Sequence, residues 1–242
     1  MKRAVSALVL TGLGLPAALA DAAGAKVAVP DPAASWNHLW HDVLLDLFII
    51  GIIFLAAGLY WVWKYRATRP GQIGTAPKLD KISAIGFAVV PAFLFMADDF
   101  YLAAKGWTVW NEYRDVPRNA MEVKVTGSMW SWNFEYDNGV STTFMVDTKE
   151  GDGLVVPVGK PVVLRMTSTD VVHSFFLPDY RVKEDMMPGR VTYLWFNPVK
   201  VGETLATCAE FCGNRHSFMW TKVKVVSQAD FDTWIAKKKQ GA

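Results

Sequence analysis

Two long apolar runs stand out from an otherwise mixed sequence and predict a pair of membrane-spanning helices. The first covers residues 43–63 and the second covers residues 82–104. At a rise of ~1.5 Å per residue, a helix of either length crosses a hydrocarbon layer of roughly 30 Å. Pro91 lies inside the second run and is expected to kink that helix. Two core helices of a soluble protein are the alternative, but the exposed basic residues beside runs this apolar favour membrane spans.

From residue 119 onward the pattern changes to short β-rich segments separated by Gly, Pro, Asn and Asp. These segments are residues 121–139, 141–148, 153–159, 160–169, 190–198 and 219–226. Apolar and polar residues alternate in parts of these segments, as at Val123 and Val125 and again at Val223 and Val225. Such alternation indicates strands with one buried face. Several short strands with turn residues between them are typical of a β-sandwich or a Greek-key barrel. Residues 227–230 have a capping-box pattern that predicts a short C-terminal helix.

The first 20 residues have the pattern of a cleaved signal peptide. Lys2 and Arg3 precede an apolar core, and a small-residue cleavage site follows at residues 18–20. A first membrane anchor is the alternative, but this apolar core is short and is broken by glycine and proline. The sequence therefore predicts a signal peptide (1–20), an exported N-terminal segment (21–42), a two-helix transmembrane hairpin (43–104) and an exported domain (119–242).

Charge gives the orientation of the hairpin. The loop between the two apolar runs contains a single acid, Asp80, and five basic residues: Lys64, Arg66, Arg69, Lys78 and Lys81. Short loops rich in Lys and Arg stay on the cytoplasmic side, so both ends of the mature chain are expected outside a bacterial cytoplasmic membrane. Trp61, Trp63 and Trp107 fit interfacial anchors in contact with membrane lipid. The formal net charge of the whole chain is only +2, which gives no reason to expect a nucleic-acid partner.

The chain's only two cysteines, Cys208 and Cys212, lie in the stretch CAEFCGNRHSFM, which also contains His216 and Met219. A disulfide is one interpretation, because exported domains occupy an oxidising compartment. It would close a very short loop and stabilise the fold little. A catalytic redox pair more often has the CxxC spacing, which is absent here. Neither interpretation explains the nearby histidine and methionine.

A metal site explains all four residues, since thiolate, imidazole and thioether ligands together select copper over hard cations. A second histidine would have to come from elsewhere in the chain. Of the four histidines, His38 and His41 precede the first apolar run, which leaves His173 at the end of a predicted strand. Two thiolates can bridge two copper ions, each of which then takes one terminal histidine.

At these residues the chain closely resembles subunit II of the haem–copper oxidases, whose cupredoxin domain carries the binuclear copper centre CuA. The resemblance rests on the two apolar runs, the aromatic stretch GSMWSWNFEY, and the HSF, PGR and CxExCGxxHxFM elements in the family's order. It implies a transmembrane helical hairpin followed by an all-β, cupredoxin-like Greek-key domain. It also implies electron transfer from cytochrome c, through this subunit, to a catalytic subunit I that reduces O₂.

The same resemblance implies roles for individual residues. Cys208 and Cys212 correspond to the bridging thiolates and His173 and His216 to the terminal imidazoles. Met219 and the backbone carbonyl of Glu210 correspond to the weak axial ligands.

Two further roles also come from the resemblance alone. The Glu210 side chain corresponds to a ligand of Mg²⁺ at the boundary with subunit I. Trp130 corresponds to the surface tryptophan where cytochrome c donates its electron. Alternation along GSMWSWNFEY predicts that Trp130, Trp132 and Phe134 share one face of a strand.

The sequence departs from the family's pattern at two places. Ala84 occupies the position in the second span where many proton-pumping relatives have glutamate, and the nearest acid is Asp80. Tyr180 and Arg181 stand where many relatives have a residue followed by glycine. These departures leave open the proton pathway and the terminal substrate. A copper-containing subunit of a nitric oxide reductase, a copper carrier or assembly protein, and a disulfide-bonded structural membrane domain therefore remain as alternatives.

Overall fold

A computed structural model of the chain describes residues 29–74, 78–145 and 151–240. The predicted signal peptide, residues 1–20, lies outside the described residues. Two long helices come first, α1 (Pro32–Tyr65) and α2 (Lys81–Arg114). The predicted spans lie inside them, but both helices are longer: α1 begins well before residue 43, and α2 continues past residue 104. The second helix runs through Pro91 without ending.

The helices form an antiparallel hairpin joined by the basic loop. Phe54 and Phe95 stack with ring centroids 6.4 Å apart, and Lys105 donates to Asp42 at 2.6 Å near the other end of the hairpin. Each helix is long and apolar enough to cross a membrane, and none of its most apolar stretch is buried against the rest of the chain. This exposure contradicts the alternative of two soluble core helices, which would be buried.

The remaining described residues form ten strands, one short α-helix and two single 3₁₀ turns. The elements are β1 (Met121–Ser128), β2 (Ser131–Tyr136), β3 (Ser141–Met145), β4 (Leu154–Pro157), β5 (Val162–Ser168), β6 (His173–Leu177), β7 (Val182–Met186), β8 (Thr192–Phe196), β9 (Gly202–Cys208), β10 (Trp220–Val226) and α3 (Gln228–Gln240). The predicted cap of α3 is confirmed, since Ser227 Oγ accepts from the Asp230 backbone N–H at 3.1 Å. Strands β6, β7 and β9 were not among the predicted segments.

The strands form two five-stranded sheets that pack face to face. The order is β3-β2-β1-β5-β8 in one sheet and β4-β10-β9-β6-β7 in the other. The pairs β1–β5 and β4–β10 are parallel, and the other neighbours are antiparallel. Alternation places Val123 and Val125 of one sheet, and Val223 and Val225 of the other, in the shared core. The prediction of a Greek-key sandwich after a helical hairpin is confirmed.

Hydrogen bonds fix the hairpin to the β-domain. Trp195 Nε1 in β8 donates to the backbone carbonyl of Glu112 at 3.1 Å, and Tyr193 Oη donates to the carbonyl of Arg114 at 3.3 Å. The Tyr113 hydroxyl lies 3.3 Å from the carbonyl oxygens of both Pro32 and Tyr180. The end of α2 and the start of α1 are therefore both held against the sandwich.

Candidate metal centre

The cysteine-containing loop is held at one end of the sandwich by its neighbouring strands. Cys208 ends β9, and Met219 immediately precedes β10, the antiparallel neighbour of β9. The backbone N–H of Cys208 donates to the carbonyl of Met219 at 2.8 Å, and the N–H of Ala209 donates to the carbonyl of Ser174 in β6 at 3.0 Å. A single 3₁₀ turn at His216–Phe218 brings the chain back to β10. The two ends of the loop, Cys208 and Met219, are therefore brought together beside β6.

This arrangement collects the predicted donor atoms. The Sγ atoms of Cys208 and Cys212 are 3.7 Å apart. His173 Nδ1 lies 3.9 Å from Cys208 Sγ, and His216 Nδ1 lies 3.7 Å from Cys212 Sγ. Met219 Sδ lies 3.6 Å from Cys212 Sγ. Each histidine is therefore adjacent to a different cysteine.

Both cysteines are free thiols in the structure. Their sulfur separation is far above the ~2.05 Å of a disulfide bond. Two donors bound to one ion through bonds of about 2.0–2.3 Å are instead about 3.5–3.8 Å apart in a tetrahedral arrangement. The donor atoms of His173, Cys208 and Cys212 all lie within 4.8 Å of one another, and the three residues are buried. Their chemistry and spacing fit a soft or borderline metal such as copper.

The two thiols have opposite pKa shifts. Burial raises the pKa of Cys208, but hydrogen bonds with His173 and with the backbone of Ser174 and Glu210 outweigh burial and lower the pKa to about 6. Burial and the adjacent Cys208 thiolate raise the pKa of Cys212 to about 12. Two thiolates this close repel each other, so the second ionises readily only when a cation lies between them.

His173 occupies the first position of β6, after a turn, and not the end of a strand as predicted. The turn brings Asp170 to the back of the ring, where its Oδ1 lies 2.9 Å from His173 Nε2. The other carboxylate oxygen accepts from the backbone N–H of Met129 at 2.7 Å. Asp170 thus holds the ring with Nδ1 toward Cys208, the arrangement by which carboxylates orient metal-binding histidines. An acid three residues before a candidate histidine ligand was the signal available in the sequence.

The contacts between His173, Asp170 and Cys208 shift the pKa values of His173 and Asp170. Burial lowers the pKa of His173, but Cys208 and Asp170 together raise it above its ordinary value. Burial raises the pKa of Asp170, but hydrogen bonds from the Met129 backbone and His173 lower it overall. The carboxylate therefore stays ionised and accepts a hydrogen bond from Nε2–H, which leaves Nδ1 as the donor atom for a metal.

Close packing fixes the other side of the His173 ring. The Trp132 ring lies edge-on to it at 6.1 Å and edge-on to Phe175 at 5.0 Å. Gly127 of β1 lies against the same site, where an added Cβ would be 3.3 Å from Met186 Cε and 3.4 Å from His173 Cδ2. A Cβ there would crowd the end of Met186 and touch the imidazole, so the glycine leaves room for both side chains.

Trp130 lies in the turn between β1 and β2, so the prediction that it shares a strand face with Trp132 and Phe134 is wrong. The latter two are fully buried, whereas Trp130 is partly exposed. Its Nε1 donates to the backbone carbonyl of Cys212 at 3.2 Å. Gly213 has φ +113°, and a Cβ there would be 3.1 Å from Trp130 Cζ2. The indole therefore lies directly on the cysteine loop.

Glu210 lies between the two cysteines and offers two oxygen-bearing groups, its backbone carbonyl and its side-chain carboxylate. Its backbone carbonyl oxygen accepts from Cys208 Sγ at 3.2 Å, so this oxygen lies beside the candidate donor atoms. The residue itself is exposed. Its carboxylate is therefore available to a partner outside the loop.

Comparison with known proteins agrees with this site. The model of the family described as "Cytochrome C oxidase subunit II, periplasmic domain" matches residues 121–226. The "Alternative cytochrome c oxidase subunit 2" of Bradyrhizobium diazoefficiens is 30% identical over 237 residues, covering 86% of this chain and 82% of the relative. This chain belongs to the cytochrome c oxidase subunit II family. A subunit 2 of Cereibacter sphaeroides is 29% identical over 246 residues, with 87% of this chain and 78% of the relative covered.

Among solved structures, the chain is similar to the crystal structure of the periplasmic domain of subunit II of cytochrome oxidase (CoxB) of Bradyrhizobium japonicum. The identity is 33% and the TM-score 0.49, with 52% of this chain and 99% of that chain covered. As a member of the subunit II family with two apolar helices, the protein is a membrane subunit of an oxidoreductase complex. His173, Cys208 and Cys212 are its candidate copper-binding residues.

Proposed function

We propose that this protein is the electron-accepting subunit of a cytochrome c oxidase. It receives electrons from cytochrome c, or a similar small redox protein, at a binuclear copper centre in the β-domain. It delivers them to the haem–copper catalytic subunit I, which reduces O₂. The observation that carries this proposal is the collection of two thiols, two imidazoles and a thioether at one end of the sandwich, in a chain of the subunit II family.

The donor positions support a division of roles among the ligands. Cys208 and Cys212 would bridge the two ions, since their sulfurs lie side by side. His173 and His216 would bind one ion each, since each lies beside a different cysteine. Met219 and the carbonyl of Glu210 would be the weak axial ligands. When bound, the copper pair would supply a one-electron carrier whose charge is shared over both ions.

The protein's contribution is a site that changes little between its two oxidation states. His173 is held by Asp170 on one side and by Trp132 and Gly127 on the other. The loop carrying the cysteines is held by backbone hydrogen bonds to β6 and β10. Such restraint keeps the donor atoms in place and favours electron transfer over bond-making chemistry.

Trp130 is proposed as the residue through which the electron arrives. Its partial exposure allows contact with a donor protein, and its Nε1 donates to the carbonyl of Cys212. A single hydrogen bond therefore connects the indole to a proposed ligand residue. Packing of Trp130 against Gly213 keeps this contact short.

The Glu210 carboxylate is proposed as a ligand of Mg²⁺ shared with subunit I. Carboxylate oxygen is the kind of ligand that Mg²⁺ prefers, and copper in a thiolate site does not need it. The exposure of Glu210 supports contact with a partner, while its carbonyl faces Cys208. One peptide unit would then contact both metals.

We assign residues 1–20 to a cleaved signal and residues 21–42 to an exported segment. Residues 43–104 form the membrane hairpin, and residues 119–242 form the copper domain on the periplasmic side of a bacterial cytoplasmic membrane. The basic loop between the helices supports this orientation, because Lys and Arg in short loops remain cytoplasmic.

The direct test is the copper content of the purified β-domain, residues 119–242. We expect two copper ions per chain and an electron paramagnetic resonance spectrum in which one unpaired electron is shared by both. One copper per chain at full loading would contradict the binuclear assignment. An intact Cys208–Cys212 disulfide in the active complex would contradict any copper site here.

A second test separates the two metals. In the complete oxidase, Glu210→Gln is expected to keep both coppers and to weaken binding of Mn²⁺ substituted for Mg²⁺, since an amide is a poorer ligand than a carboxylate. The bound-Mn²⁺ resonance is the measurement. The same Mn²⁺ signal in variant and wild type would exclude Glu210 as the shared ligand while leaving the copper assignment intact.

A further inference from the structure

A cavity of about 220 Å³ lies where the outer ends of the two helices meet the β-domain, away from the metal centre. Aromatic rings from both helices and from β8 form part of its wall: Trp36, Trp110, Tyr113 and Tyr193. Its lining also carries three cations, Arg114, Arg181 and Lys183, but only one carboxylate, Glu184. The cavity is therefore partly apolar and carries an excess of positive charge.

The three cations differ in the contacts that they make within the described residues. Arg114 Nη2 pairs with Glu184 Oε2 at 2.9 Å, and its guanidinium lies 4.5 Å from the Trp110 ring centroid. Arg181 Nε donates to the neutral amide oxygen of Asn37 in α1 at 3.2 Å. Within residues 29–74, 78–145 and 151–240, neither Arg181 nor Lys183 forms an ion pair. Two exposed cations thus remain available to an anion at the cavity.

The backbone at Arg181 indicates that this side chain is held in place despite an unfavourable conformation. Arg181 has φ +55°, and it is the one non-glycine residue with positive φ in the described part of the chain. L-residues other than Asn and Asp rarely adopt this region, which glycine adopts freely. Glycine would fit the backbone at residue 181 better, so the presence of arginine points to a use for its guanidinium.

The inner part of the cavity, near Gly106, lies at the level of the headgroup layer of a membrane, and its outer part, near Arg114, extends beyond that layer. The apolar runs end at residue 43 on α1 and at residue 104 on α2, and the cavity is lined by Trp36, Gly106 and Trp110 just beyond them. At ~1.5 Å per residue, these positions lie from about 3 to 10 Å outside the hydrocarbon. The headgroup region extends roughly 5–7 Å beyond each side of the hydrocarbon. Tryptophan and tyrosine are enriched at this level.

We propose that this cavity binds the headgroup of an anionic phospholipid of the outer leaflet. The phosphate would lie between Arg181 and Lys183, and the glycerol region against the aromatic wall. A volume of about 220 Å³ corresponds to roughly seven water molecules at ~30 Å³ each. That is enough for a phosphate group and part of a glycerol, so the acyl chains would run outside, along the exposed apolar surface of the helices. This inference rests on the membrane orientation given in the proposed function, and it does not depend on copper binding or electron transfer.

The experiment compares lipid retention by the complete oxidase. The complex is transferred into detergent micelles containing equal amounts of phosphatidylglycerol and phosphatidylethanolamine, and bound lipid is counted by native mass spectrometry. We expect one retained phosphatidylglycerol, and about a fivefold loss of its affinity for each cation removed. The variants are Arg181→Gly, which also relieves the backbone and so does not threaten folding, and Lys183→Gln. Lys200→Gln removes an exposed cation outside the cavity and should change nothing.

Several outcomes would overturn the proposal. Equal retention of both lipids, or equal losses in Lys200→Gln and Lys183→Gln, would show that charge attracts lipid without a site. Inorganic phosphate bound as tightly as phosphatidylglycerol would show an anion site that does not recognise lipid. A photo-crosslinking amino acid at position 183 gives the last comparison in native membranes. A crosslink to phospholipid supports the proposal, and a crosslink to an acidic segment of another subunit replaces lipid with protein as the occupant.

Discussion

The two ends of the β-sandwich differ in the side chains that they carry. At one end, loop side chains present sulfur and nitrogen atoms 3.6 to 3.9 Å apart, and backbone hydrogen bonds hold them in place. At the other end, α3 covers the sandwich with an aromatic cluster. Tyr136 lies 5.3 Å from Trp234 and 6.2 Å from Phe231 between ring centroids. The first end offers ligands, and the second buries apolar surface.

The strands keep these two functions apart. β2 begins at Ser131 beside the cysteine-containing loop and ends at Tyr136 in the aromatic cluster, a distance of roughly 17 Å. β10 likewise leads from Trp220 beside Met219 to Val226, next to the cap of α3. Stability can thus come largely from an end that carries no ligand, which leaves the donor atoms free to serve a metal. Four predictions test this separation.

The largest expected effect is on metal content. Cys212→Ser should abolish binding of the copper pair, because a hydroxyl is a poor bridging ligand for copper. The free energy of unfolding of the metal-free domain should change by less than about 1 kcal/mol, since the substitution is nearly isosteric. Copper analysis and urea unfolding of residues 119–242 are the measurements. Retention of two coppers with a native spectrum would show that the bridge is elsewhere.

A substitution at the aromatic end should have the opposite effect, lowering stability without changing metal content. Phe231→Ala should lower the free energy of unfolding by about 3 kcal/mol, because it leaves a cavity under α3. Phe231→Leu fills most of that volume and should cost less than about 1.5 kcal/mol. Both variants should bind two coppers with an unchanged spectrum. Copper loss from a domain that remains folded would mean that the two ends are coupled.

Trp130→Ala should slow oxidation of the electron donor by the complete oxidase while both coppers remain bound. The reason is that the indole connects the surface to the Cys212 carbonyl and is not itself a proposed ligand. Trp234→Ala is the matched control, because it removes an indole from the opposite end and should leave the rate unchanged. A fall in rate accompanied by copper loss would instead assign Trp130 a structural role.

The smallest effect concerns a charge at the aromatic end. Asp152 Oδ2 accepts from Trp234 Nε1 at 3.0 Å and pairs with Lys238 at 2.8 Å. Burial raises the pKa of Asp152, but these two partners outweigh burial and hold it below its ordinary value. Because its pKa is lower in the folded state, the Asp152 carboxylate stabilises the fold at pH values above its unfolded-state pKa of ~4. This contribution is lost as the pH falls through the folded-state pKa.

Asp152→Asn should therefore lower the free energy of unfolding at pH 7 by about 0.5–1 kcal/mol, a range appropriate for a partly exposed pair. The difference from wild type should shrink as the pH falls below about 4, where the wild-type carboxylate gains its proton. Urea unfolding between pH 3 and pH 7 measures this. A difference that stays constant over that range would assign the effect to packing of the amide instead of to charge.

The sequence predicted features that depend on local pattern. Apolar runs predicted the two helices, and the cysteine loop predicted a donor set whose members the structure brings together. Strand β9 was missed because only Ala206 and Cys208 of its seven residues are buried, so its sequence has little alternation. Trp130 was assigned to a strand because alternation continues through the turn. Its actual position depends on contact with the Cys212 loop, which lies 82 residues later in the chain.

Side chains of the β-domain also bond to the backbone ends of the membrane helices. Trp195 and Tyr193 donate to carbonyls at the end of α2. The Tyr113 hydroxyl of α2 contacts the carbonyls of Pro32 at the start of α1 and of Tyr180 in the 3₁₀ turn before β7. These bonds restrict rotation of the sandwich relative to the helices. The β-domain is therefore held at a fixed height and tilt relative to the bilayer. If the protein accepts electrons as proposed, a donor protein diffusing along that surface would meet the Trp130 face at one height and one tilt, so its search would have two dimensions instead of three.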